Sequence, residues 1–323
     1  MLGTILRKED WRAPVMANAH AKNGWFTPEQ TAYALDAIAG WLTEQQLFDW
    51  VGQYRGQESP DGRKVGVVMA GNIPAVGFHD FLSVLISGHR LAAKLSSQDD
   101  VLIPALAQEL LRINPRWSDR FEFNDKLTGC DAVIATGSNN SSRYFEYYFR
   151  HIPLLLRKSM SSLAVLDGSE SIEQLEALGE DIFRFYGLGC RNVSKVLIPS
   201  DYDQDKLIGA LYPFRWVLEN HKYANAYTYQ RALLLVDQQP FTDNGFCVFR
   251  ESTLLHSPVS VLHIDRYKDL QDLHDRILFH RNDLQCLVGS AGLPEAISFG
   301  STQNPGLSDY ADRIDTMDFL ARL

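Results

Sequence analysis

The stretch at residues 65–97 reads VGVVMAGNIPAVGFHDFLSVLISGHRLAAKLSS. It begins with an apolar run at residues 65–70, passes through a Gly-Asn-Ile-Pro turn into a helix-length segment at residues 75–87, and ends in a second apolar run at residues 91–95. Parallel strands need a helical crossover and are buried on both faces, so they appear as short continuous apolar runs separated by helices. This stretch therefore predicts a β-α-β unit of a parallel sheet.

The same alternation continues towards the middle of the chain. Apolar runs predict further strands at residues 132–135, 154–156 and 163–166, and helical segments fall at about residues 99–113 and 140–150. A sheet covered by helices on both faces explains this order of elements. We predict a doubly wound α/β domain over residues 1–160.

The pattern restarts in the second half of the chain. Ser171 and Gln174 form a capping box that opens a helix running to about residue 186. Apolar runs then predict strands at residues 193–198, 232–236 and 259–264, with a helix near residues 204–219. Residues 161–323 are thus predicted to form a second doubly wound α/β lobe, with a C-terminal tail that packs back on the protein or dimerises.

Composition and charge exclude several classes of protein. The 323 residues carry a net charge of -9, which repels phosphate polymers, so no nucleic-acid partner is expected. No run approaches the roughly 20 apolar residues needed to span a bilayer. Charged residues at positions 7–10 stand where a signal peptide needs an apolar segment, so a cytoplasmic protein is expected.

The cysteines and histidines provide no evidence of a metal site. The four cysteines, Cys130, Cys190, Cys247 and Cys286, are far apart in sequence and form no C-x-x-C pair. The nine histidines show no ligand spacing, and neither a Walker A loop nor a G-x-G-x-x-G motif is present. We expect no bound metal, although one cysteine could be a nucleophile.

Asn72 and Lys94 are the first candidate site residues. Each follows or ends a predicted parallel strand, and open α/β sheets bind ligands at the carboxyl ends of their strands. Taken alone, each position also has a structural explanation. Asn72 suits a turn, and Lys94 suits a solvated strand end.

The segment at residues 131–143, DAVIATGSNNSSR, has a strand followed by a Gly-Ser turn and a helix. Gly137 permits close backbone approach, and the free N–H groups at the start of the helix could bind a cofactor phosphate. Ser138 or Asn139 could equally be the cap of the helix.

The segment at residues 185–195, FYGLGCRNVSK, places Cys190 after two glycines on a loop between a helix and a strand. Arg191 and Lys195 flank this cysteine, and nearby cations increase the thiolate fraction of a thiol. A reactive, accessible Cys190 and a buried Cys190 packed as a small hydrophobe remain equal alternatives on this segment alone.

The chain resembles the aldehyde dehydrogenase superfamily, most closely its acyl-CoA reductase branch, the LuxC-like enzymes. The motifs GNIPAVGFHDFL, LAAKLSS, VIATGSNNSSR, LRKSMSSLAVLDG and GLGCRNVSK occur in the family order and cover about residues 65–200. The resemblance implies a Rossmann-like cofactor domain at residues 1–160 and a catalytic domain at residues 161–323. It also implies a catalytic Cys190 nucleophile and an oxyanion-donating Asn72 amide.

The cofactor-binding residues implied by the resemblance are Lys94, at the adenosine ribose, Ser97, and Gly137 with Ser138 under the cofactor. Ser97 stands where NAD-using members carry a glutamate that holds the ribose hydroxyls. A carboxylate there would repel a 2′-phosphate, so its absence favours NADP(H) over NAD(H). Lys94, with His89 and Arg90, is expected to supply positive or polar character nearby.

The resemblance implies reduction of an acyl thioester, either an acyl-CoA, including long-chain acyl groups, or a protein-bound thioester, to an aldehyde. Leu155 aligns with the glutamate that activates water in hydrolytic members, and the ribose-contacting glutamate near Pro258 is also missing unless Glu251 replaces it. The alternatives are ordinary aldehyde oxidation and a non-catalytic, nucleotide-binding member. The protein is expected to be a monomer or a homodimer.

Overall fold

A computed structural model describes residues 1–54, 62–137, 139–290 and 293–323. The chain divides into two compact units. Unit 1 comprises Met1–Ser159 together with Gly306–Leu323, and unit 2 comprises Met160–Pro305. The C-terminal segment, considered above as a tail of the second domain, is thus grouped with unit 1. The assignment of cofactor binding to one unit and catalysis to the other stays a prediction.

Unit 1 contains a five-stranded parallel sheet. Its strands are β1 (Lys64–Val68), β2 (Arg90–Lys94), β3 (Phe121–Phe123), β4 (Ala132–Thr136) and β5 (Leu154–Arg157). Their order across the sheet is β3-β2-β1-β4-β5, so the chain first builds outward from β1 on one side and then returns to its other side. The point of reversal lies between β1 and β4, where doubly wound sheets open a crevice for ligands.

Helices cover both faces of this sheet, as its apolar strands require. In the described part of unit 1 they are α1 (Leu2–Ile5), α2 (Glu9–Lys22), α3 (Pro28–Trp41), α4 (Glu44–Gly52), α5 (Phe78–Ile86), α6 (Leu102–Ile113), α7 (Asn139–Phe149) and, in the C-terminal segment, α12 (Thr316–Ala321). The core contains fully buried aromatic side chains, among them Phe26, Trp50, Phe78 and Phe81.

The C-terminal segment is held in unit 1 by buried polar contacts. Arg157, at the end of β5, forms a bidentate ion pair with Asp80, in which both N···O distances are 2.7 Å. Its guanidinium also donates to Thr316 Oγ1 at 2.7 Å. The Trp50 indole N–H donates to the Tyr310 hydroxyl at 2.8 Å. Because buried polar groups are costly when unpaired, these contacts specify where the segment packs.

Unit 2 contains a six-stranded sheet in the order β11-β6-β7-β10-β9-β8. Its strands are β6 (Ser161–Val165), β7 (Val193–Pro199), β8 (Thr242–Asp243), β9 (Val248–Glu251), β10 (Val261–Tyr267) and β11 (Leu284–Val288). All neighbours are parallel except β8, which runs antiparallel to β9 at the edge of the sheet. The helices in the described part of this unit are α8 (Ile172–Phe183), α9 (Gln204–Ala210), α10 (His221–Val236) and α11 (Leu270–His280).

The predicted fold class, two doubly wound α/β units, is confirmed. The capping box also forms: the Ser171 hydroxyl accepts from the Gln174 N–H at 3.3 Å and the Gln174 side chain accepts from the Ser171 N–H at 2.9 Å. No helix among the described residues is long and apolar enough to cross a membrane.

One predicted strand is wrong. Residues 232–236 form the last turns of α10, which Asn220 starts by accepting a hydrogen bond from the Lys222 N–H. A short apolar run does not distinguish a strand from a helical segment. Here Leu234 is buried while Leu235 and Val236 are exposed, so the run presents one apolar side chain to the protein rather than two buried faces.

Candidate active site

The carboxyl edge of the unit 1 sheet brings together three of the predicted site regions. In the register of the sheet, Val68 of β1 lies beside Lys94 of β2 and Ala135 of β4. The three strands therefore end side by side, and the loops that follow them begin at one edge. These loops carry Asn72, which is half-buried, and Gly137, which lies on the other side of the point of strand reversal.

Asp99 ties two of these loops together. Its carboxylate, 3% exposed, accepts from the Ala75 N–H at 2.8 Å in the β1–α5 loop and from the Leu102 N–H at 3.1 Å at the start of α6. Ala75 has φ of +54°, in the left-handed region that non-glycine residues rarely adopt. The Asp99 carboxylate thus holds a strained loop at the edge of the sheet. Burial raises the pKa of Asp99 to about 6.

Gly71 and Ser96 bring the same two loops into close contact. A Cβ at Gly71 would lie 2.6 Å from both Cβ and Oγ of Ser96 and 3.1 Å from the Asp99 amide nitrogen. Such distances are too short for non-bonded atoms, so only glycine allows this approach. The loops after β1 and β2 therefore form one packed surface next to Asn72.

Lys94 and Ser97 are both exposed at this edge and available to solvent. The expected contribution of His89 and Arg90 is wrong, because both residues stand at the amino end of β2, the opposite end from Lys94. His89 is also fully buried, with its ring nitrogens bonded to the Arg63 N–H at 3.0 Å and to the Leu320 carbonyl at 3.0 Å. Burial lowers the pKa of His89, which favours its neutral form.

Gly137 has a packing reason for being glycine. A Cβ at this position would lie 2.8 Å from Cε2 of Phe145 in α7 and 3.0 Å from Cβ of Ser141. Glycine therefore lets α7 pack closely on the end of β4. Contact between Gly137 and a cofactor stays a prediction, and Ser138 lies outside the described residues.

Leu155 belongs to the core of unit 1. It is 4% exposed, pairs with Ile134 of β4, and packs within the main apolar cluster of the unit. Core packing thus accounts for a leucine at this position. Glu251, considered as a substitute for the missing ribose ligand, forms an ion pair with Arg266 at 3.1 Å.

Cys190 lies in unit 2, on a turn between α8 and β7, and its residue is partly exposed. Its carbonyl oxygen accepts from the Ser162 hydroxyl of β6 at 3.1 Å. The turn thus lies just before the amino end of β7, a central strand of the second sheet. The pairing of Cys190 with Asn72 stays a prediction.

The structure does not support the predicted role of Lys195 as a cation for Cys190. Lys195 is fully buried, and its ammonium donates to Asp265 at 2.6 Å and to the Thr253 carbonyl at 2.9 Å. Arg191, the other flanking cation, places Nη1 3.4 Å from the sulfur of Cys286. Lys195 is therefore a structural ion-pair partner of Asp265 on β10, the strand next to β7 in the sheet.

The residue that sequence reasoning missed at the unit 1 edge is the connecting carboxylate. The helix predicted at about residues 99–113 includes Asp99, but this residue precedes α6 and accepts a hydrogen bond from a loop 24 residues earlier. The apolar residues at positions 101–103, which follow Asp99, could have suggested burial of the helix start. The contact with Ala75 depends on the tertiary structure and leaves no local signal.

Solved structures of aldehyde dehydrogenases share this fold. A Burkholderia cenocepacia protein assigned as an aldehyde dehydrogenase is 15% identical, with a TM-score of 0.66 over 90% of this chain and 73% of its own. A Mycobacterium tuberculosis aldehyde dehydrogenase complexed with NAD+ is 15% identical, with a TM-score of 0.59 over 87% of this chain and 73% of its own. A mutant Bacillus cereus aldehyde dehydrogenase is 13% identical, with a TM-score of 0.61 over 90% of this chain and 69% of its own.

No protein-family model and no curated protein sequence matches the chain. At identities this low, the likeness to solved structures establishes the aldehyde-dehydrogenase-like fold. The chemistry must be argued from the residues that this fold positions.

The stability of unit 1 is expected to depend on pH through Asp99. Because its pKa in the folded state, about 6, lies above that of an unfolded aspartate, its contribution to stability falls as pH rises through this range. The free energy of unfolding of the wild type, measured relative to that of Asp99→Asn, should fall by up to about 3 kcal/mol between about pH 4 and about pH 7. Urea unfolding at several pH values measures this difference.

Asp119→Asn is the matched control, because Asp119 is an exposed aspartate of unit 1 that lies outside the two loops joined by Asp99. Its unfolding should keep the pH dependence of the wild type. A wild-type-to-Asp99→Asn difference that does not change with pH would contradict the role given to the buried carboxylate.

Proposed function

We propose that this protein reduces an acyl thioester, an acyl-CoA or a protein-bound thioester, to an aldehyde with a nicotinamide cofactor. The observation that carries the proposal is the placement of Cys190, a partly exposed thiol, on a fixed turn of an aldehyde-dehydrogenase-like fold. The motif order that resembles the LuxC-like acyl-CoA reductases supports the thioester as substrate.

The edge of the unit 1 sheet fits a dinucleotide. It lies at the reversal of strand order, its loops are packed together by Asp99 and Gly71, and it carries the exposed Lys94 ammonium, which suits a ribose or phosphate oxygen. Similar folds bind such a cofactor: the Mycobacterium tuberculosis enzyme was solved with NAD+. When bound, the cofactor supplies the hydride that reduces the acyl group.

Cys190 performs the covalent chemistry in this proposal. Its thiolate attacks the thioester carbonyl carbon, a new C–S bond forms, and the C–S bond to the carrier breaks, so the carrier leaves as a thiol after taking up a proton. The acyl group is then held on the Cys190 sulfur. After reduction, the C–S bond to Cys190 breaks, aldehyde is released and the thiolate is restored.

Asn72 acts as an oxyanion donor in this proposal, together with the Cys190 N–H. Its amide can donate to the carbonyl oxygen as negative charge develops there, which is the point at which a fixed donor contributes most. The half-buried position of Asn72, on a loop immobilised by Asp99, supports this role, because an oxyanion donor must be fixed before the reaction begins.

Reduced-cofactor oxidation with a series of acyl-CoAs of increasing chain length tests the proposal. Wild-type protein should consume NADPH in the presence of acyl-CoA, and Cys190→Ala should abolish this activity while retaining cofactor binding. In the same assay Asn72→Ala should lose roughly 10²- to 10³-fold in kcat, as expected for one oxyanion hydrogen bond.

Cys130→Ala is the control, because Cys130 is also a partly exposed thiol. It should retain most of the activity. Full activity in Cys190→Ala would rule out the proposed nucleophile, and turnover of aldehyde with oxidised cofactor but without CoA would favour ordinary aldehyde oxidation.

We further propose that the cofactor is NADP(H) in preference to NAD(H). Ser97, in the loop that follows Lys94, is exposed and uncharged, so it would not repel a 2′-phosphate. Ser97→Glu should weaken NADPH binding relative to NADH by roughly 10-fold, equivalent to about 1.4 kcal/mol of charge repulsion. Competition binding of the two cofactors measures the ratio.

Ser118→Glu adds the same charge at an exposed position of unit 1, directly after the 3₁₀ helix Pro115–Trp117 that follows α6. It should leave the ratio of the two affinities unchanged. A wild type that strongly prefers NADH, or an equal effect of both glutamates, would contradict the role given to Ser97.

A further inference from the structure

The chain enters the Cys190 turn through a left-handed segment. Phe185, Tyr186 and Gly187 follow α8 with φ values of +53°, +58° and +75°. The first two are bulky residues in a conformation that costs energy for any side chain with a Cβ, and such strain persists only where the surroundings impose it. Both side chains are buried, and the Tyr186 ring contacts that of Trp216 at 5.7 Å between centroids.

The Asn192 side chain holds the backbone on both sides of this left-handed segment. It is almost fully buried, and the two hydrogens of its Nδ2 are shared among the carbonyls of Asp181 at 3.0 Å, Ile182 at 3.3 Å and Arg184 at 2.8 Å. These are carbonyls at the end of α8, where the helix leaves its acceptors unsatisfied. Its Oδ1 accepts from the Gly189 N–H at 2.8 Å. One amide therefore caps α8 and also binds the turn on the other side of the strained segment.

The peptide groups around Cys190 are fixed one after another. The Asn192 N–H donates to the Gly189 carbonyl at 3.1 Å, and this carbonyl belongs to the same planar peptide group as the Cys190 N–H. The preceding peptide group is held through the Gly189 N–H by Asn192 Oδ1. The following one is held through the Cys190 carbonyl by the Ser162 hydroxyl.

We infer that Asn192 is a positioning residue for Cys190: its amide, bound to the end of α8 and to Gly189, sets the orientation of the peptide group that carries the Cys190 N–H. The chemical consequence rests on the proposed function, in which this N–H and the thiolate act on the thioester. Displacement of a reacting group by about 1 Å can lower a rate by roughly 10²-fold, so a residue that touches no substrate can still control the reaction.

Two measurements on Asn192→Ala test the inference. The first is the pH profile of Cys190 alkylation by iodoacetamide, read by mass spectrometry, which needs no substrate or cofactor. The second is the single-turnover rate at which acyl-CoA acylates Cys190. We expect a displaced alkylation profile and acylation about 10- to 100-fold slower than in the wild type.

Asp269→Ala is the control. Asp269 caps α11 just after the carboxyl end of β10, at the opposite edge of the sheet from the Cys190 turn, so its loss lowers stability without releasing that turn. This variant should keep the wild-type alkylation profile and acylation rate. Asn192→Ser provides a second test if the alanine variant does not fold, because serine is polar and uncharged but too short to bind both the end of α8 and Gly189; the same changes are expected.

The inference would be overturned if the Asn192 variants that fold matched the wild type in both measurements, or if Asp269→Ala changed as much as they do. Failure of the proposed function has a different signature, since wild-type Cys190 would then form no acyl-enzyme with any acyl-CoA. In that case the alkylation profile alone decides whether Asn192 positions the thiol.

Discussion

The buried carboxylate of Asp99 is the constraint on which the proposed cofactor edge depends. Parallel strands bring the loops after β1 and β2 to one edge, but the strands alone do not fix the shape of those loops. Asp99 accepts from Ala75 on one loop and from Leu102 at the start of the next helix. Close contact between Gly71 and Ser96 leaves no space between the two loops. The loop that carries Asn72 is therefore held by Asp99 and by Ser96.

The Cys190 turn in unit 2 is built in a comparable way. Here too one buried polar side chain, that of Asn192, bridges two segments of backbone, the end of α8 and Gly189. Both sites thus use a side chain whose hydrogen bonds are made inside the protein to hold backbone in a strained conformation, near Ala75 in one unit and at Phe185 in the other. Rigid support of this kind lets a loop act without rearranging during the reaction.

Sequence reasoning predicted those features that local pattern determines. The β-α-β unit at residues 65–97 and the helix start at Ser171 follow from apolar runs and turn chemistry within a few residues. Features set by tertiary contacts were missed or misread. Lys195 follows Cys190 closely in sequence but is bound by Asp265 from another strand. The apolar run at residues 232–236 has the pattern of a strand, but in the structure it forms the end of α10.

The central claim is that the edge formed by the β1 and β2 loops binds the nicotinamide cofactor. Hydrogen–deuterium exchange with and without saturating NADPH tests it most directly, because it reports which backbone amides the ligand protects. We predict added protection in peptides covering residues 69–77 and 94–101, and weaker protection there in the Asp99→Asn variant. Unchanged exchange at both loops in the wild type, or protection confined to other parts of the chain, would contradict the account.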